Sequence, residues 1–305
     1  MTSSLVVNNL SKRFGDFIAV DNIDLELRPG EIFGLLGPNA AGKTTTIRML
    51  SGIIRPSGGT ANILGFDLFD DLESIKSRIG YVAQYFALYP ELTVTENLSF
   101  YSGIYGVDDA QRQTDLLEQY GLNQFADRYA GQLSGGYKRR LSMVCALCHD
   151  PELVFLDEPT AGIDPVTRKE LWDLFYELAM AGKTLFVTTH YMEEAERCHQ
   201  LAFLSHGKRV AQGTPDEIRR MLVHKQIYTF SAGMDMAMLK ALPRLEGVDL
   251  INRFGNSIRV VADDSLTLEK LAGFLAEWPG EEYEPVQTTA NLEDVFITLT
   301  SGEPS

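Results

Sequence analysis

The chain has 305 residues, of which 45% are hydrophobic and 23% charged, an ordinary globular composition that is long enough for a large α/β domain plus a smaller one. Its 42 acidic and 27 basic side chains give a formal net charge of −15, which argues against a nucleic-acid partner and against direct adsorption to anionic lipid. The longest apolar run, Met143 to Cys148, is far shorter than the roughly 18 to 20 residues of a membrane-spanning helix, and MTSSLVV resembles no secretory signal. We therefore expect a cytoplasmic protein with no direct lipid insertion, attached to a membrane only through protein contacts.

The N-terminal residues predict strands. The segments SLVVNNL and FIAVDNIDLEL alternate apolar and polar residues, which is the pattern of half-buried antiparallel strands. They lead into a short apolar stretch, Ile32 to Leu36, which predicts a buried strand directly before a glycine-rich loop. We expect an antiparallel β subdomain beside that loop.

The glycine-rich loop is GPNAAGKTT, and a helical pattern follows it. Backbone N–H groups of such a loop turn inward around an anion, and the positive end of the following helix points at the same place. We therefore predict a phosphate site in which Lys43 reaches the β- and γ-phosphates, Thr44 ligates Mg²⁺ and Thr45 holds the α-phosphate. The predicted nucleotide-binding residues of the loop are Gly37, Asn39, Ala40, Ala41, Gly42, Lys43, Thr44 and Thr45.

From about residue 92 to 150 the apolar pattern becomes helical, with predicted helices over 92–105, 111–120 and 133–148. The last of them contains CALCH, Cys145 to His149, which formally matches a haem-attachment pattern. Apolar residues recur at helical spacing through both cysteines, and no second Cys/His pair lies at ligand spacing. We therefore favour a buried helix face over haem, zinc or redox chemistry, and no disulfide framework.

Two carboxylates follow the next apolar run. LVFLDEPT predicts a buried parallel strand that ends at Asp157 and Glu158. Because ligands collect at the carboxyl ends of strands in open α/β sheets, Asp157 is placed to hold Mg²⁺ and Glu158 to orient and deprotonate an attacking water. A solvated strand edge is the alternative, and the phosphate loop outweighs it.

A different pattern begins near residue 225. The order is strand 227–231, helix 235–242, strands 248–253 and 257–262, helix 266–277 and strand 283–289, with a closing amphipathic helix in ANLEDVFITLT. This βαββαβ order predicts a ferredoxin-like split sandwich. We favour a dimer-stabilising extension over a regulatory ligand pocket.

One further motif, LSGGYKRR from Leu133 to Arg140, resembles the signature motif of ABC-type ATPases. The other motifs stand in the order typical of that family over about residues 5 to 220. They are Phe14 near the start, the phosphate loop, Gln84 in YVAQ, the signature, the paired acids, AGIDP around Asp164, and His190 in LFVTTH.

The resemblance implies an α/β fold, a P-loop NTPase of ABC type with a RecA-like mixed sheet, an antiparallel β subdomain and a helical signature subdomain at about 92–150. This ATPase domain is expected over residues 1–224, and a small ferredoxin-like α+β domain over 225–305. The tail is similar to the accessory domain of the drug- and polymer-exporting branch. The basic cluster of Lys138, Arg139 and Arg140 lies in the signature helix, and we expect it to be a phosphate-facing or interface patch rather than a nucleic-acid footprint.

The resemblance also implies roles for single residues. Two ATPase domains pack head to tail in this family, so that Ser134, Gly135 and Gly136 cap the γ-phosphate bound by the partner's loop. Phe14 is similar to the aromatic on which adenine stacks.

Three more positions follow from the same resemblance. Gln84 corresponds to the residue that touches Mg²⁺ and the lytic water, with Tyr85 to Pro90 facing a membrane partner. His190 is implied as a hydrogen-bond donor to the γ-phosphate, and Asp164 as a residue that communicates across the dimer. With Lys43 and Glu158, Gln84 and His190 form the expected catalytic set, whereas Thr44, Gln84 and Asp157 form the expected magnesium set.

The sequence departs from the family's commonest spelling at three positions. Ala40 stands where glycine is frequent, Tyr137 where glutamine is usual and Phe14 where tyrosine is usual. We expect Ala40 to keep negative φ, because a Cβ makes left-handed geometry costly.

The function implied by the resemblance is an ATPase subunit of an ABC exporter, which requires ATP and Mg²⁺. It is expected to work as a homodimer, or paired with another ABC subunit, on a separate integral membrane permease at the inner face of the cell membrane. The alternative is a soluble ABC ATPase that acts on ribosomes or DNA. Such proteins generally carry two cores or a long coiled-coil insertion, and the sequence has neither.

Overall fold

The computed structural model describes residues 3–231, 236–278 and 283–301. The chain forms two compact units, Met1–Gln212 and Gly213–Ser305. Residue 235, where the sequence predicts the start of a helix, lies outside the described residues.

The first unit contains the elements that surround the phosphate loop. Its strands are β1 Leu5–Phe14, β2 Phe17–Leu27, β3 Ile32–Leu36, β4 Gly58–Ile63, β5 Phe66–Asp67, β6 Ile79–Val82, β7 Leu153–Asp157, β8 Thr184–Thr189, β9 Gln200–Ser205 and β10 Lys208–Gly213. Its helices are α1 Lys43–Leu50, α2 Leu72–Lys76, α3 Val94–Ile104, α4 Ala110–Gln119, α5 Gly135–Leu147, α6 Pro165–Met180 and α7 Met192–Ala195.

Two sheets organise this unit. One has the order β2-β1-β4-β5 and contains the predicted antiparallel strands, and the other has the order β10-β9-β3-β8-β7-β6. In the second sheet β9, β3, β8, β7 and β6 pair in parallel. Alternate residues of these strands point to opposite faces, so Phe33, Phe155 and Phe186 join the core of the β subdomain whereas Val154 and Val187 join the core of the helices.

The parallel strands place the predicted motifs at one sheet edge. The phosphate loop follows β3, Gln84 follows β6, the paired acids end β7, and His190 follows β8. Since parallel strands have their carboxyl ends on the same side, one edge of the sheet receives all four segments.

The helical segment between β6 and β7 has the predicted three-helix organisation, as α3, α4 and α5. A capping box between Thr93 and Glu96 starts α3. Cys145 and Cys148 are buried in the core of this segment, and His149 stacks on Tyr105 with ring centroids 3.7 Å apart. The CALCH motif therefore forms part of the buried face of α5 and the end of that helix, as the apolar spacing predicted.

The second unit has the predicted βαββαβ order followed by a closing helix. Its elements are α8 Pro215–Arg219, β11 Gln226–Ser231, α9 Met236–Ala241, β12 Val248–Phe254, β13 Ser257–Ala262, α10 Leu268–Ala276, β14 Val286–Thr288 and α11 Leu292–Thr300. The strand order is β12-β13-β11-β14 with antiparallel pairing throughout, which is the order of a ferredoxin-like sheet.

The division between the units falls after Gln212, whereas the sequence placed the domain boundary after residue 224. The physical reason is that α8, which precedes the predicted boundary, packs against the closing helix α11. A buried pair between Arg259 and Asp294, with Nη2 to Oδ2 at 2.6 Å, holds α11 on the sheet. Within the three described ranges, no helix combines the length and the apolar character needed to cross a membrane.

Candidate functional site

The phosphate loop is shaped by close backbone approaches. A Cβ at Gly37 would lie 2.2 Å from the carbonyl oxygen of Leu204, and a Cβ at Gly42 would lie 2.5 Å from that of Ala19. Gly42 also has φ of 105°, which a side chain disfavours. The loop therefore needs glycine at both positions, and it delivers Lys43 and Thr44 to the first turn of α1.

Ala40 contradicts the expectation of negative φ. Its φ is 65°, so a residue with a Cβ occupies the left-handed region at the exposed tip of the loop. This geometry costs about 1 kcal/mol or more relative to glycine. The reason is that the loop must turn through Asn39 and Ala40 before α1 begins, and this turn prevails over the local preference of alanine.

Lys43 and Glu158 form a buried ion pair. The ammonium lies 3.2 Å from Glu158 Oε1, and the two side chains are 4% and 6% exposed. Lys43 also donates to the carbonyl oxygens of Gly37 at 2.8 Å and Pro38 at 3.1 Å. The lysine predicted to bind phosphate is thus positioned by its own loop and by the carboxylate predicted as general base.

The second oxygen of Glu158 joins two more predicted residues. Gln84 Nε2 donates to Oε2 at 3.0 Å, and His190 Nδ1 lies 3.2 Å from the same oxygen. The Glu158 backbone has φ of 45°, and its N–H donates to Thr188 Oγ1 at 2.9 Å. Strain of this kind concentrates at functional sites. The structure therefore brings Lys43, Gln84, Glu158 and His190 into one cluster.

The two carboxylate oxygens of Asp157 differ in their hydrogen bonding. Its Oδ1 accepts from Thr44 Oγ1 at 3.1 Å and from Thr188 Oγ1 at 2.8 Å. Its buried Oδ2 has no hydrogen-bond partner in the described structure. Burial raises the pKa of the Asp157 carboxyl, an effect that the two threonine hydroxyls oppose. A buried carboxylate oxygen beside a threonine hydroxyl is a suitable ligand for a small divalent cation.

The signature residues lie at the start of α5. Ser134 is exposed and is the N-cap, and its side chain accepts no capping bond. A Cβ on Gly135 would meet open space, whereas a Cβ on Gly136 would lie 2.7 Å from Thr167 Cγ2. Tyr137 packs edge-on against Phe125, with ring centroids 4.5 Å apart.

The basic cluster after these glycines does not form one phosphate-facing or interface patch. Arg139 is buried, and its guanidinium donates to the carbonyl oxygens of Ala83 at 2.7 Å and Gln84 at 2.8 Å. The expectation of a phosphate-facing or interface patch is wrong for Arg139, because α5 turns this side chain inward towards the loop after β6.

Phe14, Asp164 and Ser134 lie apart from the cluster around Glu158. Phe14 is 51% exposed at the end of β1, and the Lys12 ammonium lies 5.0 Å from its ring centroid. Asp164 caps α6 by accepting from the N–H groups of Val166 and Thr167 at 3.1 and 3.0 Å, and these bonds lower the pKa of its carboxyl. In the described parts of the chain, no hydrogen bond or ion pair joins Phe14, Ser134 or Asp164 to the Glu158 cluster.

Two residues outside the predicted motif positions also organise this edge. Thr188 contacts both Asp157 and Glu158, and it directly follows the apolar residues Leu185 to Val187. Glu194 is buried and accepts from Thr160 and from Thr189, the latter at 2.6 Å, while Arg168 lies 3.7 Å from it. A polar residue two positions before the strand-end histidine was the available signal for Thr188.

Comparison with known proteins identifies relatives of this chain. The family model described as ABC transporter matches residues 20–161. The chain is 38% identical to the Nod factor export ATP-binding protein I of Cupriavidus metallidurans over 99% of both chains. It is 45% identical to the probable multidrug ABC transporter ATP-binding protein YbhF of Escherichia coli over 69% of this chain, and it spans only 37% of the length of that relative.

Solved structures are similar as well. An ATP-binding subunit of an ABC transporter superposes with a TM-score of 0.66 at 31% identity, covering 72% of this chain and 93% of that one. A dimeric ATP-binding cassette bound to ADP and phosphate superposes with a TM-score of 0.63 at 27% identity, covering 69% of this chain and 98% of that one. From the site geometry and this similarity along the whole length of a relative, we conclude that the chain belongs to the family of ABC transporter ATP-binding proteins.

Proposed function

We propose that this protein is the ATP-binding and ATP-hydrolysing subunit of an ABC exporter, and that two copies close around two Mg-ATP to drive a separate membrane permease. The observation that carries the proposal is the cluster at one sheet edge in which Glu158 contacts Lys43, Gln84 and His190. Hydrolysis of a phosphoanhydride needs a cation for the transferred phosphate and a base for water, and this cluster supplies both.

The chemistry assigned to the cluster is attack of water on the γ-phosphorus of ATP. The bond from the γ-phosphorus to the β–γ bridging oxygen breaks, ADP and phosphate leave, and the Glu158 carboxylate accepts the proton of the water. Lys43 exchanges its contacts with Glu158 and the loop carbonyls for phosphate oxygens, which releases the carboxylate. His190 and Gln84 then orient the γ-phosphate and the water.

The residues present fit a magnesium ion. Asp157 offers a buried oxygen without a hydrogen-bond partner, and the Thr44 hydroxyl lies beside the same carboxylate. Mg²⁺ is usually held by one or two protein oxygens together with substrate phosphates. When bound, the ion neutralises charge that develops on the phosphates. Asp157, Thr44 and Gln84 are the residues that we assign to it.

The exposed start of α5 supports the dimer. The helix has 13 residues, and Ser134 at its N-cap leaves its hydroxyl and the first N–H groups available to an anion. In the described residues Ser134 makes no hydrogen bond to the Glu158 cluster of its own chain, and we propose that this anion site faces the phosphate loop of a second copy. One of the similar solved structures is itself a dimeric cassette with ADP and phosphate.

A permease contact is supported by apolar side chains around the segment after Gln84. Exposed rings and aliphatic side chains there are Tyr85, Tyr89, Phe100, Ile104 and Tyr105. Two of them, Tyr85 and Tyr105, also line a pocket of about 240 Å³ together with Tyr81, Leu88 and Tyr101. Exposed apolar side chains beside a pocket are typical of a protein interface. Export as the direction rests on the relatives, whose names refer to multidrug transport and to Nod factor export.

Purification of the tagged full chain in mild detergent tests the proposal, with identification of the proteins that co-purify. Recovery of a polytopic membrane protein is the expected result, and recovery of ribosomal proteins or DNA factors in its place overturns the transport assignment. In parallel, Glu158→Gln is expected to bind ATP and accumulate a nucleotide-bound dimer in gel filtration while turnover falls by at least about a hundredfold. Turnover equal to the parent contradicts the assigned base.

A further inference from the structure

Arg139 is a buried cation whose described contacts are carbonyl oxygens. The side chain is 9% exposed, and Nη1 donates to Ala83 O at 2.7 Å while Nη2 donates to Gln84 O at 2.8 Å and to Glu158 O at 3.5 Å. Burial lowers the pKa of the guanidinium, and the charge of Asp157 partly offsets this effect. A planar fork that spans several carbonyl groups fixes their separation, which a flexible ammonium does not.

Two of these carbonyl groups belong to residues of the catalytic cluster. The amide of Gln84 donates to Glu158 Oε2 at 3.0 Å, so Arg139 holds the backbone of one partner of that hydrogen bond at 2.8 Å and makes a longer contact, at 3.5 Å, with the backbone of the other. Glu158 has φ of 45°, a geometry that persists only when neighbours hold it. Arg139 is one of those neighbours.

The same residue belongs to the helix that begins at the exposed cap. Ser134 precedes α5 and Arg139 lies within it, about 7.5 Å further along the axis. The two flanking basic residues contact other groups, since Lys138 lies over the ring of Phe86 and Arg140 pairs with Glu170. Of the basic cluster, Arg139 therefore connects α5 to the catalytic edge.

We propose that Arg139 is a positioning residue that ties the helix of the Ser134 cap to Gln84 and Glu158. When the cap closes on nucleotide held by the partner copy, α5 moves as a rigid rod, and Arg139 sets the placement of the base in its own site. The inference rests on the proposed function, because it requires ATP hydrolysis in a dimer. In this proposal the two nucleotide sites communicate through the contacts of the Arg139 side chain with backbone carbonyl groups in each chain.

Kinetics of the purified full chain test this role with Arg139→Met and the matched control Arg112→Met. Arg112 donates to the carbonyl oxygens of Cys148 at 2.8 Å and Leu147 at 3.0 Å, so it holds the far end of the same helix without touching the cluster. We expect R139M to lower kcat about a hundredfold, as small displacements of a catalytic group do, while KM for ATP stays within about twofold. We expect R112M to lower the melting temperature and leave kcat close to that of the parent.

A double-mutant cycle isolates the connection to the cap. Ser134→Ala is expected to lower kcat in the parent and to lower it much less in R139M, with a departure from additivity of about fivefold or more. Additive effects overturn the proposal, as does an R139M enzyme whose kcat equals that of R112M. If R139M does not fold, Arg139→Lys keeps the charge and the aliphatic stem but not the planar fork, and the same criteria apply to it.

The two proposals fail in distinguishable ways. If the parent chain does not hydrolyse ATP, the proposed function fails. If the parent hydrolyses ATP and R139M does so equally well, the function stands and the role of Arg139 is wrong.

Discussion

Thr188 Oγ1 lies 2.8 Å from Asp157 Oδ1, and the same oxygen accepts the backbone N–H of Glu158 at 2.9 Å. One hydroxyl on β8 thus holds the side chain of the predicted magnesium ligand and the backbone of the predicted base. Since β7 and β8 pair in parallel with Asp157 opposite Thr188, the contact follows from the register of the sheet.

Thr188→Val removes this hydroxyl with little change in shape. We expect the free energy of unfolding to fall by about 1–3 kcal/mol, because a buried hydrogen-bonding group is lost, and we expect kcat to fall because both acids shift. The control is Thr184→Val at the opposite end of the same strand, where a buried hydroxyl accepts the N–H of Gly30 at 3.1 Å. Urea unfolding and steady-state ATPase assays measure both variants, and an equal loss of kcat in T184V contradicts a specific role for Thr188.

We expect the buried Asp157 carboxyl to lower the stability of the metal-free protein at neutral pH, although the same carboxyl is assigned to magnesium binding. Its pKa is raised by burial above the ordinary value of about 3.9. Above about pH 3.9 the folded state therefore binds more protons than the unfolded state. The contribution of the Asp157 carboxyl to the free energy of unfolding is fully present below that pH, and it is lost as pH rises through the folded pKa. We expect Asp157→Asn to unfold at a higher temperature than the parent at pH 7 without magnesium.

The same variant should lose the rise in melting temperature that Mg-ATP gives the parent, since binding to the folded state stabilises it. Asp164→Asn is a control of opposite sign. Hydrogen bonds from the Thr167 and Val166 N–H groups lower the pKa of Asp164, so its stabilisation is present above about pH 3.9 and is lost as pH falls. Melting curves from pH 4 to 7 that show a destabilised D157N would refute the desolvation argument.

Ala40→Gly tests the left-handed tip of the phosphate loop. Because Ala40 has φ of 65°, glycine relieves strain there, and we expect the free energy of unfolding to rise by about 0.5–1 kcal/mol. Ala41 is buried and its φ is not positive, so Ala41→Gly should be destabilising by a similar amount. Denaturant unfolding of the two variants gives the comparison, and stabilisation of both variants contradicts the assigned geometry.

Much of this site could be predicted because its residues follow strands. Asp157 and Glu158 come directly after an apolar run, His190 follows the end of β8, and Lys43 follows β3 by way of the glycine-rich loop. Parallel strands bring such positions to one sheet edge whatever the details of packing. The contacts of Thr188 and Arg139 could not be predicted in this way. They depend on the register between β7 and β8 and on the rotation of α5, which are set by packing between segments distant in sequence.

The ferredoxin-like order of the second unit was predictable for a similar reason, since each element has its own apolar period. Its boundary was not, because the contacts that join α8 to the second unit, among them those with α11, link segments that are distant in sequence. For Ala40 the prediction from residue type was wrong, because the loop around it imposes a positive φ against the local preference of alanine.

Substitutions of the signature glycines allow effects on the melting temperature to be distinguished from effects on ATPase activity. A Cβ on Gly136 would lie 2.7 Å from Thr167 Cγ2, whereas a Cβ on Gly135 meets open space. Alanine at Gly135 should therefore gain up to about 1 kcal/mol of helix propensity, and alanine at Gly136 should lower the melting temperature. Thr167→Ser removes the clashing methyl group, so the double variant G136A/T167S should recover the melting temperature lost in G136A. If T167S restores nothing, the start of α5 does not pack on α6 as described. If G136A loses ATPase activity and the double variant regains it, that loss came from displacement of the cap, because both substitutions leave the Ser134 hydroxyl in place.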